Sequence, residues 1–595
     1  MSTLGTLAMR PLRPALLALS LTLGFTGYVH AQNSQPAQPP LTTLTENSGG
    51  VMPVEQKRVH FDHAELHIAV DPAKQSIDAT ATLTFTAHEP TNVLVLDLDR
   101  NLPISAIEVD GKPVATSTWS NPEGRLRIQL PKALNAGQQV STTIHYGGRP
   151  HVAKHAPWDG GFVWSHTKDG QPWVGSAVEG EGCDLFWPCI DNPQGKPDLV
   201  DLYVTVPKPL AAPGNGVLVG ISDEGKTRTY HWRAKHPTTY AISINVGPYK
   251  ELTGEYHSRY GNVIPLQYWY LPGEDEQAHK LFAEFSRMLA FNEAMIGPYP
   301  FGDEKMGVVE TPYLGMEHQT INAYGNHYAK DGTGFDWLLQ HEFAHEWFGN
   351  QMTNADWDDM WLHEGFATYM QPLYSWSING DLGYYAWLDK IRLTLRDRFP
   401  IVSGSSKTEE QVYDDDHGPG LDIYNKSALM LHSLRGLIGD HAFFESLRML
   451  VYGRPDPKPG NFAPHYASSH DYIDIVNKVT GRDLSWFFNV YLYQAALPAL
   501  DEQRQGDTLT LHWRTPKNLP FPMPVEVQVD DALHVLPMAD GSGTLKVPAD
   551  AVVVIDPHSK LLRDMPQITE FQAWMKAQKE EKEKEQKAKG KAKSN

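Results

Sequence analysis

Cysteine is almost absent from this chain: Cys183 and Cys189 are the only two in 595 residues. Two thiols are too few for a disulfide scaffold or a four-thiolate zinc site. Five residues separate them, and the sequence leaves open whether they are bridged or free. Positive charge is also scarce. Lys and Arg number 51 against 71 Asp and Glu, a formal net charge of −20. Eight Lys crowd into the final twenty residues with only four Glu, so the remainder is more acidic still. Phosphate backbones are held by Lys and Arg, so this balance excludes nucleic acid as a partner. Long apolar runs are missing except at the N-terminus. There Arg10 and Arg13 precede an apolar stretch from Ala15 to Tyr28, followed by Val29-His30-Ala31. The stretch is shorter than the ~20 residues of a spanning helix and has the three-part pattern of a secretory signal. The expectation is cleavage after Ala31, export to a periplasm or the medium, and no stable membrane span in the mature protein.

What is present fits a folded, multidomain protein. Apolar residues make up 41% of the sequence, enough for real cores, and 595 residues exceed the ~250–300 that one core supports. Residues 32–57 are rich in Gln, Pro, Ser and Thr and read as a flexible leader. From 58 the apolar residues alternate, as in Ala64-Glu65-Leu66-His67-Ile68 and Ala79 to Phe85, and Asp110-Gly111 marks a hairpin turn. Further strands are expected at 126–130, 140–146, 201–206 and 239–246. After 255 the spacing becomes helical, with helices over 274–296, 336–348, 360–375, 385–396, 424–438 and 470–495. Alternation returns over 505–558. The expected architecture is multidomain α+β: a β domain at 58–255, a mainly helical catalytic domain at 256–500, a small β domain at 501–562, and a charged Lys/Glu tail at 563–595.

The chemistry concentrates in His341-Glu342-Phe343-Ala344-His345. On a helix, positions i and i+4 share a face, so the two imidazoles point to one place. Asp336, or Thr333 with it, supplies an N-cap signal, and Gly349 marks the end. Two imidazoles at this spacing suit zinc, and Glu342 on the adjacent face suits a general base. Eighteen residues separate His345 from Glu364, which lies in Trp361-Leu362-His363-Glu364-Gly365. A second, antiparallel helix would bring Glu364 in as third ligand and leave the fourth position open for catalysis. Two histidines on one helix face can also be ordinary core groups; the placement of Glu364 favours the metal.

This HExxH, eighteen residues, Glu arrangement resembles the M1 family of zinc aminopeptidases, the gluzincins. The likeness runs from about 58 to 558 and covers three of the family's usual domains. It implies a thermolysin-like catalytic domain, one Zn2+ per chain, and peptide substrates with a free N-terminus. Leu314-Gly315-Met316-Glu317-His318 resembles the family's Gly-x-Met-Glu-Asn loop. By that resemblance Glu317 binds the substrate α-amine, with Gly315 and Met316 beside the peptide. His318 departs from the usual Asn. Trp187-Pro188-Cys189-Ile190-Asp191-Asn192-Pro193 is a second landmark. Ten residues before Cys189, Glu179 matches a further amine-contacting carboxylate, although Glu181 could take its register. Tyr424-Asn425-Lys426-Ser427 is similar to a Tyr-x-Lys-Gly segment whose tyrosine polarises the scissile carbonyl, with Ser427 replacing Gly. The rival expectation is a thermolysin-like endopeptidase, which has no need of the amine.

Overall fold

The computed structural model describes residues 38–593 apart from 461, so the expected signal segment lies outside the described residues. The first half is β, as its alternation requires. β1 (Val59–Asp71), β2 (Ser76–Ala87), β3 (Ile104–Val109), β4 (Lys112–Pro113), β5 (Gln139–Gly148), β6 (Leu199–Pro207), β7 (Val217–Glu224) and β8 (Thr227–Lys235) form one sheet. Their spatial order is β7-β8-β6-β1-β2-β5-β3-β4. Every second side chain of β1 and β2 points inward, so that Leu66, Ile68, Ala81, Leu83 and Phe85 are buried. The Asp110-Gly111 turn joins β3 to β4 as expected.

The catalytic region does not open with helix. β9 (Lys250–His257) and β10 (Val263–Tyr270) come first, so the expected domain change at 255 falls inside a strand. With β11 (Met306–Glu310), β12 (Gly315–Met316) and β13 (Asn322–Tyr324) they make a sheet ordered β9-β10-β11-β13-β12. The expected strand at 239–246 shrinks to Asn245–Val246. The stretch before it is buried, but its backbone is served by a side chain instead of a strand. Asn215 donates to Ala241 O at 2.7 Å and accepts from Ser243 N at 3.0 Å.

The leader is also corrected. Residues 38–57 are packed, not free, and end in α1 (Val54–Lys57), with Thr45, Ser48 and Gln56 buried. Ser48 N donates to Gly180 O at 3.0 Å and Glu409 N to Ser48 O at 3.1 Å, so this strap ties the β domain to the catalytic domain. Pro and Ser content reports local propensity and is blind to such partners.

The helices are α2 (Asp275–Met295), α3 (Trp337–His345), α4 (Trp361–Arg392), α5 (Glu409–Tyr413), α6 (Asn425–Tyr452), α7 (Ser469–Thr480), α8 (Ser485–Tyr491) and α9 (Pro566–Lys593). Several bounds differ from expectation. α3 stops at His345, four residues before Gly349 (φ 135°). The two patterns at 360–375 and 385–396 share α4, which bends at Gly380, and α6 runs on past 438 through a break at Gly439. The pattern at 470–495 splits into α7 and α8 after Gly481, whose φ of 63° caps α7. Strands within 499–555 form two three-stranded sheets, matching the expected small β domain. Most of the charged tail is α9. Buried apolar side chains make one continuous cluster from Val59 to Leu562. Among the described residues no helix is long and apolar enough to cross a membrane.

Candidate metal centre and active site

Asp336 caps α3, accepting a hydrogen bond from Leu339 N at 3.1 Å; Thr333 is not the cap and bonds Asp331. The capped helix buries Leu338, Leu339, Phe343 and Ala344, which fixes its rotation. That rotation brings His341 and His345 together, their Nε2 atoms 3.1 Å apart. Glu364, in the first turn of α4, places Oε2 3.2 Å from His341 Nε2 and 3.4 Å from His345 Nε2. Four donors at about 2.05 Å around a tetrahedral ion sit roughly 3.3 Å from one another. The three edges match that triangle, and Glu364 Oε2 is buried without a hydrogen bond. The donor set therefore fits zinc. His345 Nδ1 donates to Phe348 O at 2.9 Å, which sets the tautomer that turns Nε2 inward. Glu364 is held well below the carboxylate range, against burial, by the two imidazoles.

Glu342 lies beside this triangle. Burial pushes its carboxyl well above the ordinary range, with the Glu317 and Glu364 charges adding to the effect. Its close neighbour explains a motif residue. A Cβ on Gly315 would sit 2.6 Å from Glu342 Oε1 and 2.8 Å from Leu338 Cδ1, so a side chain on that edge of β12 would displace the ends of both neighbours. Met316 follows it, buried.

Glu317 and Glu179 meet as a buried pair. Donor atoms of Glu317, Glu342 and His345 all lie within 4.8 Å of one another. Burial raises the Glu179 carboxyl well above its usual range, and the nearby Glu317 charge raises it further. Glu179 Oε1 is buried with no hydrogen-bond partner. Glu181, the rival in register, is engaged elsewhere: its carboxylate accepts from Gly160 N. The His318 ring is fully buried with neither nitrogen hydrogen-bonded, and burial lowers its pKa to about 3. It is neutral and adds no charge beside Glu317.

Tyr424, immediately before α6, stacks its ring 6.1 Å from that of His341. Burial and the Glu364 and Glu179 charges hold its phenol well above 10, so it stays a donor.

Three contributors escaped the sequence. Tyr413 OH lies 2.5 Å from Tyr424 OH and donates to Glu364 Oε1 at 3.4 Å. Tyr240 OH donates to Glu317 Oε1 at 2.7 Å. Asn350 Nδ2 donates to Glu317 O at 3.0 Å. Tyr240 and Tyr413 lie in segments with no local motif, and only proximity to Glu317 and Glu364 distinguishes them. The open cysteine question is settled: Cys183 and Cys189 are bridged.

A two-His, one-Glu triangle with a buried glutamate against it, on a helical domain packed behind a β domain, is the arrangement that a metal-dependent peptidase needs. The comparisons agree. The model of the peptidase family M1 domain matches residues 286–491, and that of the peptidase M1 N-terminal domain matches 60–240. Aminopeptidase N of Lactobacillus delbrueckii subsp. lactis is 22% identical over 561 residues, 86% of this chain and 63% of its own. Leukotriene A-4 hydrolase of Xenopus laevis is 27% identical over 330 residues, 53% of this chain and 51% of its own. The chain thus spans about half to two thirds of the length of these curated relatives. A mutant M1 zinc metallopeptidase from Deinococcus radiodurans, bound to a Tyr-Ser-Ala substrate, superposes with a TM-score of 0.62 at 25% identity. That match covers 74% of this chain and 96% of the other. The chain belongs to the M1 peptidase family.

Proposed function

We propose that this protein is a zinc aminopeptidase that removes single residues from the N-terminus of peptides. The observation that carries the reading is the buried Glu179–Glu317 pair beside the metal triangle. Two carboxylates crowded out of water call for a cation, and the α-ammonium of a peptide supplies it through charge-assisted hydrogen bonds. Anchoring the terminal amine there presents the first peptide bond to Glu342 and Tyr424, which measures one residue from the chain end.

His341, His345 and Glu364 would hold one zinc, which when bound polarises a carbonyl and makes water acidic enough to attack at neutral pH. Glu342 takes the proton of the attacking water and delivers it to the departing amine. Tyr424 OH donates to the oxygen that gains negative charge as the carbonyl carbon becomes tetrahedral. Tyr240 and Asn350 hold Glu317 in place for the ammonium.

The Cys183–Cys189 bridge supports export, since disulfides persist in oxidising compartments. A panel of aminoacyl amides and their N-acetylated forms, assayed with and without a chelator, tests the activity. Free amines should be cleaved and acetylated ones spared, with chelation abolishing turnover. Equal cleavage of the blocked substrates would favour an endopeptidase instead.

A further inference from the structure

We propose that the β domain carries a second divalent-metal site, separate from the catalytic triangle, built from His60, Asp62 and Asp198. His60 Nε2, one oxygen of Asp62 and one of Asp198 lie within 4.8 Å of one another. His60 Nε2 is 2.8 Å from Asp198 Oδ2 and 4.0 Å from Asp62 Oδ1. Donors about 2.0–2.2 Å from a tetrahedral ion stand roughly 3.3–3.6 Å apart, so small side-chain rotations that widen the first of these edges and narrow the second would close the set around zinc. His236 Nδ1 lies 3.5 Å from Asp198 Oδ1, and this buried ring atom makes no hydrogen bond.

The supporting frame is built as metal sites are. β1 bulges between Phe61 and His63, and Asp62 lies two residues from His60 on the same strand. The far oxygen of Asp62 is already occupied: Thr86 Oγ1 donates to Oδ2 at 2.7 Å and Gln139 Nε2 at 3.3 Å. Such outer bonds orient a ligating carboxylate and leave its other oxygen to the ion. Asp198 is fixed through its backbone, N to Phe61 O at 3.0 Å, and His236 N donates to Asp198 O at 2.9 Å. His236 takes φ +47°, a conformation a non-glycine residue adopts only when its surroundings impose it. The flanking lysines are engaged elsewhere, Lys235 with Asp303 and Lys196 with Asn350 O.

One imidazole and two carboxylates, each side chain between 24% and 46% exposed, suit a zinc-like ion whose remaining positions are filled by water. The donors come from β1 and from the residue just before β6, which are remote in sequence. An ion there would clamp two neighbouring strands, a structural role that does not rest on the peptidase reading.

The test uses the full chain with His345→Ala, which removes a catalytic ligand, stripped of metal and titrated with Zn2+ by calorimetry. One equivalent should still bind and raise Tm. Both effects should vanish with His60→Ala and, independently, with the near-isosteric Asp198→Asn. Thr86→Val should weaken binding by roughly 10-fold. No zinc binding in the His345→Ala protein would overturn the proposal, as would binding that persists unchanged in both ligand variants.

Discussion

Tyr413 illustrates how much of this site depends on single hydroxyls. It joins Tyr424 at 2.5 Å to Glu364 Oε1 at 3.4 Å, and so orients both the phenol and the carboxylate. Tyr413→Phe removes about one hydrogen bond's worth of positioning, ~1–1.5 kcal/mol, and should lower kcat about 10-fold with little change in KM. Tyr240 acts on the amine side. Tyr240→Phe frees Glu317 Oε1 and should raise KM for free-amine substrates several-fold while leaving zinc content unchanged. Glu342→Gln should retain the metal and lose about 10²–10⁴-fold in kcat, the usual contribution of a general base. Metal analysis beside the kinetics checks it; near-normal turnover would exclude Glu342 from that role.

At the scale of elements, the strap of residues 38–57 shows why a polar leader can be structural. Gly49 sits at φ +84°, and a Cβ there would fall 2.1 Å from Trp357 Cδ1. Gly49→Ala should therefore cost ~2–4 kcal/mol, from backbone strain and overpacking together, seen as a lower Tm. Near the same strap, the bridged 183–189 loop buries a group of aspartates. Burial and the Asp97 charge raise Asp191 to about 7, and Asp184 is raised further by burial and by Asp191. A carboxyl whose folded pKa exceeds its unfolded value near 3.8 binds protons on folding. Its stabilising effect is complete below that value and is lost as pH rises through about 7. Asp191→Asn should raise Tm at pH 8, with the gain shrinking toward pH 5, as thermal melts across that range would show. An unchanged difference between the two pH values would contradict the assignment.

On the scale of the whole molecule, the β domain is part of the active site. Glu179 and Tyr240 come from it and meet Glu317 of the catalytic domain. The sequence by itself determined the His341, His345 and Glu364 triangle. His341 and His345 are four residues apart on one helix, so local geometry alone puts them on one face, and the eighteen-residue interval to Glu364 is short enough for the next helix to return beside them. The same holds for the strands of 59–148, because period-2 alternation is also a local property. Only the tertiary structure decided what links distant segments. The packed strap, the choice of Glu179 over Glu181, the roles of Tyr413 and Tyr240, and the His60–Asp198 cluster all depend on contacts across domains or between strands far apart in sequence. Hydrophobic periodicity records which face of an element is buried, not which partner buries it. A lone tyrosine or a polar leader carries no such signal until the fold sets another chain segment against it.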